Sequence, residues 1–221
     1  MNRLKVRSHI QEIGIVPAIR VSSAEHALFA AETVHNAGIP LAEVTMTVPG
    51  AIGVIATLAR KFPEMVVGAG TVLNVETARQ CLDAGAKFLT SPGLVLKVVE
   101  FGQKHDVVVF PGALTPTEVI AAWDSGADFV KIFPCAQAGG AGYIRALRVP
   151  LPQVPLIASG GVNQQTVSGF IHAGAVAVGV GSELIPMEAL MNRQESQIFE
   201  LARRFLSMVQ EARLPAIKGG V

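Results

Sequence analysis

Short apolar runs recur along the whole chain and predict eight buried β-strands. They are rich in Val, Ile and Phe and mostly continuous rather than alternating with polar residues, as expected for strands covered on both faces. The predicted strands are Ile15–Val21, Ala42–Thr47, Val66–Thr71, Phe88–Ser91, Val107–Pro111, Phe129–Phe133, Leu156–Ser159 and Ala177–Val180.

Segments with helical periodicity separate these runs. Those with the clearest pattern are Ala24–Asn36, Ala51–Lys61, Val75–Asp83, Leu94–Lys104, Gln164–His172 and Glu195–Ala212. In the last of them Ile198, Leu201 and Phe205 fall on one face, which indicates a helix packed against a core. A short N-terminal helix and an apolar C-terminal tail (Leu214, Pro215, Ala216 and Ile217) flank the repeating part.

A weak repeat supports the alternation of strands and helices. A small residue followed by glycine precedes alternate strands at Ala37-Gly38, Ala84-Gly85, Ser125-Gly126 and Ala173-Gly174. Glycine is favoured there because a helix often ends on a left-handed residue. Eight strand–helix units without a break in composition predict a single (β/α)8 TIM barrel over residues 1–221. A doubly wound open sheet is the alternative, but no G-x-G-x-x-G fingerprint favours it.

Composition and charge limit the binding partners and the cellular compartment that we expect for this protein. The chain has 221 residues, of which 50% are hydrophobic and 16% charged, with a net charge of +1. The charge balance favours neither a nucleic acid nor a membrane surface as partner. Since no apolar run reaches the length of a membrane span and the N-terminus lacks a signal-peptide pattern, we expect a cytoplasmic protein. Two widely separated cysteines, Cys81 and Cys135, fit that reducing compartment.

Lys131 lies in the middle of the sixth predicted strand, in the run Phe129-Val130-Lys131-Ile132-Phe133. Burial disfavours the ammonium form of a lysine, and a neutral amine is a nucleophile that forms Schiff bases with carbonyl substrates. The alternative is a lysine that points outward and extends to water. The other six lysines fall in predicted helices, loops or tails, which leaves Lys131 as the Schiff-base candidate.

Glu43 lies near the end of the second predicted strand. It is the only acidic residue among the predicted strand-end positions. Active sites of such barrels lie at the carboxyl ends of the strands. A carboxyl group there is suited to shuttle protons for an amine nucleophile. The alternative is an ion pair with Arg20 or Lys131, and an ion pair with Lys131 is compatible with the shuttle.

Glycine turns at the ends of the seventh and eighth predicted strands indicate a phosphate site. Gly160 and Gly161 follow one strand, and Gly181 with Ser182 follows the other. Glycine lets the backbone approach an anion, and this position is a frequent phosphate site in barrels. Tight turns without a ligand are the alternative.

Three further strand-end residues are candidates for substrate contacts. Arg20 is expected to bind a carboxylate or a phosphate, unless it pairs with Glu25 on the surface. Thr71 offers a hydroxyl behind Gly-Ala-Gly, and Pro92 is expected to shape the pocket. The five histidines lack zinc-site spacing, and Cys135, close after Lys131, is expected only to pack.

These residues resemble the class I 2-keto-3-deoxy-6-phosphogluconate (KDPG) aldolases, a family that includes 4-hydroxy-2-oxoglutarate (KHG) aldolases. The resemblance spans nearly the whole chain. It rests on Glu43-Val44-Thr45, Gly68-Ala69-Gly70-Thr71-Val72, Ser91-Pro92-Gly93, Pro111-Gly112, Phe129-Val130-Lys131-Ile132-Phe133-Pro134, Gly160-Gly161-Val162 and Gly179-Val180-Gly181-Ser182, all in the order and spacing of the family.

The resemblance implies a barrel assembled as a homotrimer and a role for each candidate. Its Schiff-base lysine falls on Lys131 and its acid/base glutamate on Glu43. Its carboxylate-binding threonine falls on Thr71, its pocket proline on Pro92 and its anion-binding arginine on Arg20. The phosphate turns of the family fall on Gly160, Gly161 and Ser182. The chain departs from some members in carrying Thr47 where they have a second carboxylate-binding arginine.

The expected reaction is cleavage of KDPG into pyruvate and glyceraldehyde 3-phosphate, with a phosphorylated keto-acid as the small-molecule partner. The iminium acts as electron sink, so no metal or cofactor is expected. The 6-phosphogalactonate epimer and unphosphorylated 4-hydroxy-2-oxoglutarate are alternative substrates. A non-catalytic sugar-phosphate binding module and a metal-free barrel isomerase are alternatives of other classes.

Overall fold

The computed structural model describes residues 1–214, and the predicted tail residues Pro215, Ala216 and Ile217 lie outside the described part. Within residues 1–214 there are nine strands and ten helices. The strands are β1 Ile15–Ile19, β2 Leu41–Thr45, β3 Val66–Gly70, β4 Phe88–Thr90, β5 Val108–Phe110, β6 Gly112–Ala113, β7 Val130–Ile132, β8 Leu156–Ser159 and β9 Ala177–Val180. The helices are α1 Arg3–Ile13, α2 Ala24–Asn36, α3 Ala51–Lys61, α4 Val75–Asp83, α5 Leu96–Lys104, α6 Pro116–Asp124, α7 Gly140–Arg148, α8 Val167–His172, α9 Met187–Met191 and α10 Glu195–Arg213.

The strands form one parallel sheet in the order β5-β4-β3-β2-β1-β9-β8-β7-β6. The two edge strands are parts of one segment, since only Pro111 separates β5 from β6. Proline has no N–H to donate, which divides this segment into two short strands. Because β5 pairs with β4 and β6 pairs with β7, the segment closes the sheet into a barrel with eight strand positions. The predicted (β/α)8 fold is confirmed.

The glycines of the repeat adopt the left-handed conformation that was predicted for the ends of helices. Gly38, Gly85, Gly126 and Gly174 each follow a helix and have φ between +88° and +100°. This left-handed conformation turns the chain sharply into the next strand at little cost for glycine. Each turn therefore delivers the following strand to the barrel wall.

The predicted helices are present, with differences at their ends. Helix α8 begins at Val167 rather than near Gln164, because the side chain of Asn163 accepts hydrogen bonds from the N–H groups of Gln165 and Thr166. Such a side-chain turn competes with helix formation. None of the helices in residues 1–214 combines the length and apolar character that crossing a membrane requires.

The buried carboxylate of Asp128 anchors the strand that carries Lys131. It accepts hydrogen bonds from the backbone N–H of Val109 at 2.8 Å and from the Arg3 guanidinium at 2.9 Å. These contacts tie the start of β7 to β5 and to helix α1. Since a buried carboxylate is stable only when its oxygens are satisfied, the network fixes the base of β7.

Candidate active site

The register of the strands determines which side chains face the barrel interior. Lys131 pairs with Gly112 on one side and with Ile157 on the other, while Glu43 pairs with Ala18 and Gly68. Partners in register lie on the same face of a parallel sheet, and several of these interior positions are glycine or alanine. The small residues leave space around the two longer side chains.

Lys131 and Glu43 meet inside the barrel. The Nζ atom of Lys131 lies 3.6 Å from Oε2 of Glu43, and the exposed fractions of the two side chains are 10% and 3%. The lysine therefore does not extend outward to water between the helices. The ion pair and the proton shuttle, both considered for Glu43, are compatible with this arrangement, because a carboxylate beside an amine both pairs with it and exchanges protons with it.

Glycine at position 70 makes room for the carboxylate. A β-carbon on Gly70 would overlap Oε1 of Glu43, and one on Gly68 would overlap the ring of Phe88. The glycines of β3 therefore set how closely this strand approaches the side chains of β2 and β4. Within the Gly68-Ala69-Gly70 motif, Gly70 thus makes room for Glu43 and Gly68 makes room for Phe88.

Phe133 is a site residue that the sequence reasoning missed. The Lys131 Nζ atom lies 5.7 Å from the centre of its ring, within the range of a cation–π contact. Phe133 comes two residues after Lys131, so the alternation of side chains along a strand would have placed it on the same face. Phe133 also lines the cavity described next, so it connects the surroundings of the amine with that cavity.

A cavity of about 320 Å³ opens over the ends of β1, β8 and β9, and Phe133 lines it whereas Lys131 and Glu43 do not. Its size falls at the lower end of the range for small-molecule pockets. The residues that line it are Ala18, Arg20, Phe133, Ser159, Gly160, Gly161, Val162, Gly179, Gly181, Ser182 and Glu183. The structure thus brings together the residues of both predicted phosphate turns and the predicted anion-binding arginine.

Arg20 is available to a ligand in this cavity. It is exposed, and it does not pair with Glu25, because Glu25 forms its ion pair with Arg193. Arg193 also lies over the ring of Phe29, which holds it on helix α2. The surface pair considered for Arg20 is therefore absent from the described residues.

The two turns at the cavity present backbone donors. Gly160 and Gly161 have φ of +87° and +77°, and a β-carbon on Gly161 would overlap Ala136. On the neighbouring turn, the N–H groups of Leu184 and Ile185 close the turn by donating to the carbonyl of Gly181, while those of Ser182 and Glu183 have no backbone acceptor within residues 1–214. Turns of this kind direct N–H groups at a bound anion.

Thr71 and Pro92 lie at the same end of the barrel, on the opposite side from the cavity. Thr71 follows β3 and has φ of +60°, which is uncommon for a residue other than glycine and is typical of functional sites. Pro92 follows β4, and its carbonyl oxygen occupies the space that a β-carbon on Gly112 would need. Pro92 thus lies beside the strand that pairs with Lys131.

The hydroxyl of Thr47 is committed to a neighbour. Thr45 donates its single hydroxyl proton to the carbonyl of Ile19 at 3.0 Å, and its oxygen lies 2.7 Å from that of Thr47. The proton between the two threonines therefore belongs to Thr47. Thr47 is exposed and offers a ligand only an acceptor, so it does not supply the positive charge that an arginine at this position would.

The cysteines and histidines contribute no reactive cluster. Cys81 and Cys135 are both free and buried, and burial raises the pKa of Cys81 to about 11 and that of Cys135 to about 12. Both thiols therefore stay protonated, which fits the packing role expected for Cys135. Within residues 1–214, His, Cys, Asp and Glu side chains do not gather in threes around a potential metal position.

Comparison with known proteins identifies the family of the chain. The family model described as "KDPG and KHG aldolase" matches residues 6–201. The chain belongs to this aldolase family. A "KHG/KDPG aldolase" of Escherichia coli K12 is 32% identical over 189 residues, which cover 86% of the chain and 89% of the relative.

Two solved structures of aldolases are similar over nearly their whole length. A KDPG aldolase from Legionella pneumophila, with pyruvate captured as a covalent carbinolamine, has a TM-score of 0.84 and 32% identity, covering 90% of the chain and 96% of that protein. The 2-keto-3-deoxy-6-phosphogluconate aldolase of Zymomonas mobilis with 3-phosphoglycerate has a TM-score of 0.83 and 26% identity, covering 92% and 95%. The protein is thus an aldolase, a lyase built on the barrel described above.

Proposed function

We propose that this aldolase uses a lysine Schiff base to cleave KDPG into pyruvate and glyceraldehyde 3-phosphate. The observation that carries the proposal is the buried pair of Lys131 and Glu43, beside a cavity lined by Arg20 and two glycine turns. A nucleophilic amine, a proton shuttle and an anion site are the three groups that cleavage of a phosphorylated keto-acid requires.

The first step joins substrate and enzyme. The amine of Lys131 attacks the C2 carbonyl of the substrate and forms a carbinolamine, which loses water to become an iminium. Glu43, whose Oε2 lies 3.6 Å from the amine, delivers the proton that the departing hydroxyl needs, directly or through one water. The low exposure of the pair keeps bulk water away from the iminium.

The second step breaks the carbon–carbon bond. Glu43 removes the proton of the C4 hydroxyl, C4 becomes the aldehyde of the first product, and the electrons of the C3–C4 bond move into the iminium to give an enamine. Protonation of the enamine at C3 and hydrolysis then release pyruvate and restore the lysine. The positively charged iminium accepts the electrons, which is the chemical purpose of the covalent intermediate.

The two charged ends of the substrate are assigned to opposite sides of the barrel mouth. The phosphate binds in the cavity, where Arg20 and the turns at Gly160, Gly161, Gly181 and Ser182 converge. The carboxylate binds beside Thr71, with Pro92 closing that side of the pocket. The position of Arg20 supports this assignment, because Arg20 lines the cavity and does not lie on the side of Thr71.

A coupled assay tests the proposal. Purified protein is mixed with KDPG, its 6-phosphogalactonate epimer or 4-hydroxy-2-oxoglutarate, and pyruvate is followed with lactate dehydrogenase and NADH. We expect pyruvate release to be fastest with KDPG. Release of pyruvate from 4-hydroxy-2-oxoglutarate alone would show that the phosphate assignment is wrong, and release from none of the three would refute the function.

We also propose that the enzyme is a homotrimer in the cytoplasm, which the resemblance to its family first suggested. Leu73, Leu96 and Leu114 are exposed on the segments that follow β3, β4 and β6, so they offer an apolar surface at one side of the barrel. The two free thiols suit a reducing compartment. Light scattering coupled to gel filtration distinguishes a trimer from a monomer or dimer.

A further inference from the structure

The anion cavity carries a negative charge as well as a positive one. Among the described residues that line it, Arg20 and Glu183 are the charged ones. Both are exposed, and neither takes part in an ion pair within residues 1–214. Glu183 follows Ser182 directly, so its carboxylate is attached to one of the turns assigned to the phosphate.

A carboxylate in this cavity weakens the binding of a phosphate ester. Such an ester carries a charge between −1.5 and −2 near neutral pH. Arg20 and the backbone N–H groups attract it, whereas the carboxylate of Glu183 repels it across the same cavity. Because the cavity is open to solvent and small, the repulsion is partly screened but acts at short range.

We propose that Glu183 is a specificity-determining residue. Its negative charge weakens phosphate binding, and it thereby reduces the preference of the enzyme for phosphorylated over unphosphorylated 4-hydroxy-2-keto acids. The inference rests on the proposed function, since it assigns the phosphate to this cavity. Unphosphorylated substrates are shorter and place no dianion there, so they are less sensitive to the charge at position 183.

The variant Glu183→Gln tests this, because it keeps the size and the backbone of the turn and removes only the charge. At low ionic strength we expect the KM for KDPG and the inhibition constant of inorganic phosphate to fall by about three- to tenfold. The change in KM for 4-hydroxy-2-oxoglutarate should be smaller. The effect on the inhibition constant of phosphate should shrink in 0.5 M salt, because the screening length there is only roughly 4 Å.

A matched control is Glu188→Gln, which removes the same charge from an exposed residue of α9 outside the cavity lining. Its constants should equal those of the unaltered protein. An unchanged KM for KDPG and an unchanged inhibition constant of phosphate in Glu183→Gln, or equal changes for both substrates, would overturn the inference.

Direct binding separates this inference from the proposed function. Inorganic phosphate is titrated into the unaltered protein and into Glu183→Gln by calorimetry, a measurement that needs no turnover. Tighter binding to the variant upholds the role of Glu183 even if KDPG proves not to be cleaved. Equal binding to both proteins, or binding to neither, refutes it even if KDPG is cleaved.

Discussion

The carboxylate of Glu43 occupies the space that a side chain at position 70 would need. Glu43 lies on β2 and Gly70 on β3, and a β-carbon on Gly70 would overlap Oε1 of Glu43. The opposite oxygen, Oε2, is the one nearest Lys131. Gly70 therefore supports the position from which Glu43 reaches the amine, although it has no chemistry of its own.

Replacing Gly70 by alanine should displace the carboxylate and lower kcat by about 10²-fold or more, because a shuttle that leaves hydrogen-bonding reach loses most of its effect. The matched control is Gly53→Ala, at a helical position where a β-carbon meets no atom within 4 Å. That variant should keep its activity and gain about 0.5–1 kcal/mol of stability. Steady-state kinetics and thermal unfolding of both variants check this, and full activity of Gly70→Ala would contradict it.

Replacing Lys131 by alanine should abolish pyruvate release, since the nucleophile is lost. Borohydride added to the unaltered protein with pyruvate should trap one adduct per chain, located by peptide mass spectrometry on Lys131. Lys97→Ala, which removes an exposed lysine of α5, should still be trapped. An adduct on the Lys131→Ala protein would show that another amine carries the reaction.

Replacing Glu43 by glutamine should leave the nucleophile in place and remove the proton shuttle. We expect kcat to fall by about 10²- to 10⁴-fold, the usual contribution of general acid–base catalysis. Borohydride should still trap pyruvate on Lys131 after long incubation, because forming the iminium needs less help than breaking the C3–C4 bond. Unchanged turnover would remove Glu43 from the mechanism.

The barrel could be predicted from the sequence because it depends on local patterns. The candidate site residues were chosen from the strand ends by the same patterns, and their roles stay predictions. Continuous apolar runs identify buried strands, and polar residues at their ends mark the barrel mouth. The break at Pro111 and the late start of α8 were not predicted. The first results from the missing N–H of proline, and the second from competition between side-chain and backbone hydrogen bonds at Asn163. The juxtaposition of Arg20 with Glu183 depends on strands at opposite ends of the chain meeting when the barrel closes, which no local pattern reports.

Replacing Arg20 by glutamine should raise the KM for KDPG by roughly 10- to 100-fold, the range expected for losing a hydrogen bond to a charged group. The KM for 4-hydroxy-2-oxoglutarate should change less, because that substrate lacks the phosphate. Arg60→Gln removes an exposed arginine of α3 and serves as the control. An equal rise for both substrates would contradict the phosphate assignment and would instead make Arg20 a carboxylate-binding residue, at the shared C1 end or at C5 of 4-hydroxy-2-oxoglutarate.

The two buried thiols should make the enzyme sensitive to alkali. Their folded pKa values, about 11 for Cys81 and about 12 for Cys135, lie above the ordinary value of 9.0 because burial favours the neutral thiol. The unfolded chain therefore releases these protons first, so their contribution to stability is complete below about pH 9 and is lost as the pH rises towards the folded values.

Urea unfolding at several pH values between 8 and 11 measures this loss as a falling free energy of unfolding. The Cys81→Ala/Cys135→Ala double variant should be less stable at neutral pH, because it loses packed volume, but its stability should fall less steeply above pH 9. In the native enzyme at pH 8, a disulfide reagent should modify neither thiol, and unfolding should expose both. Rapid modification of native Cys135 would show that its thiol is accessible as a thiolate, and the packing role assigned to it would then be wrong.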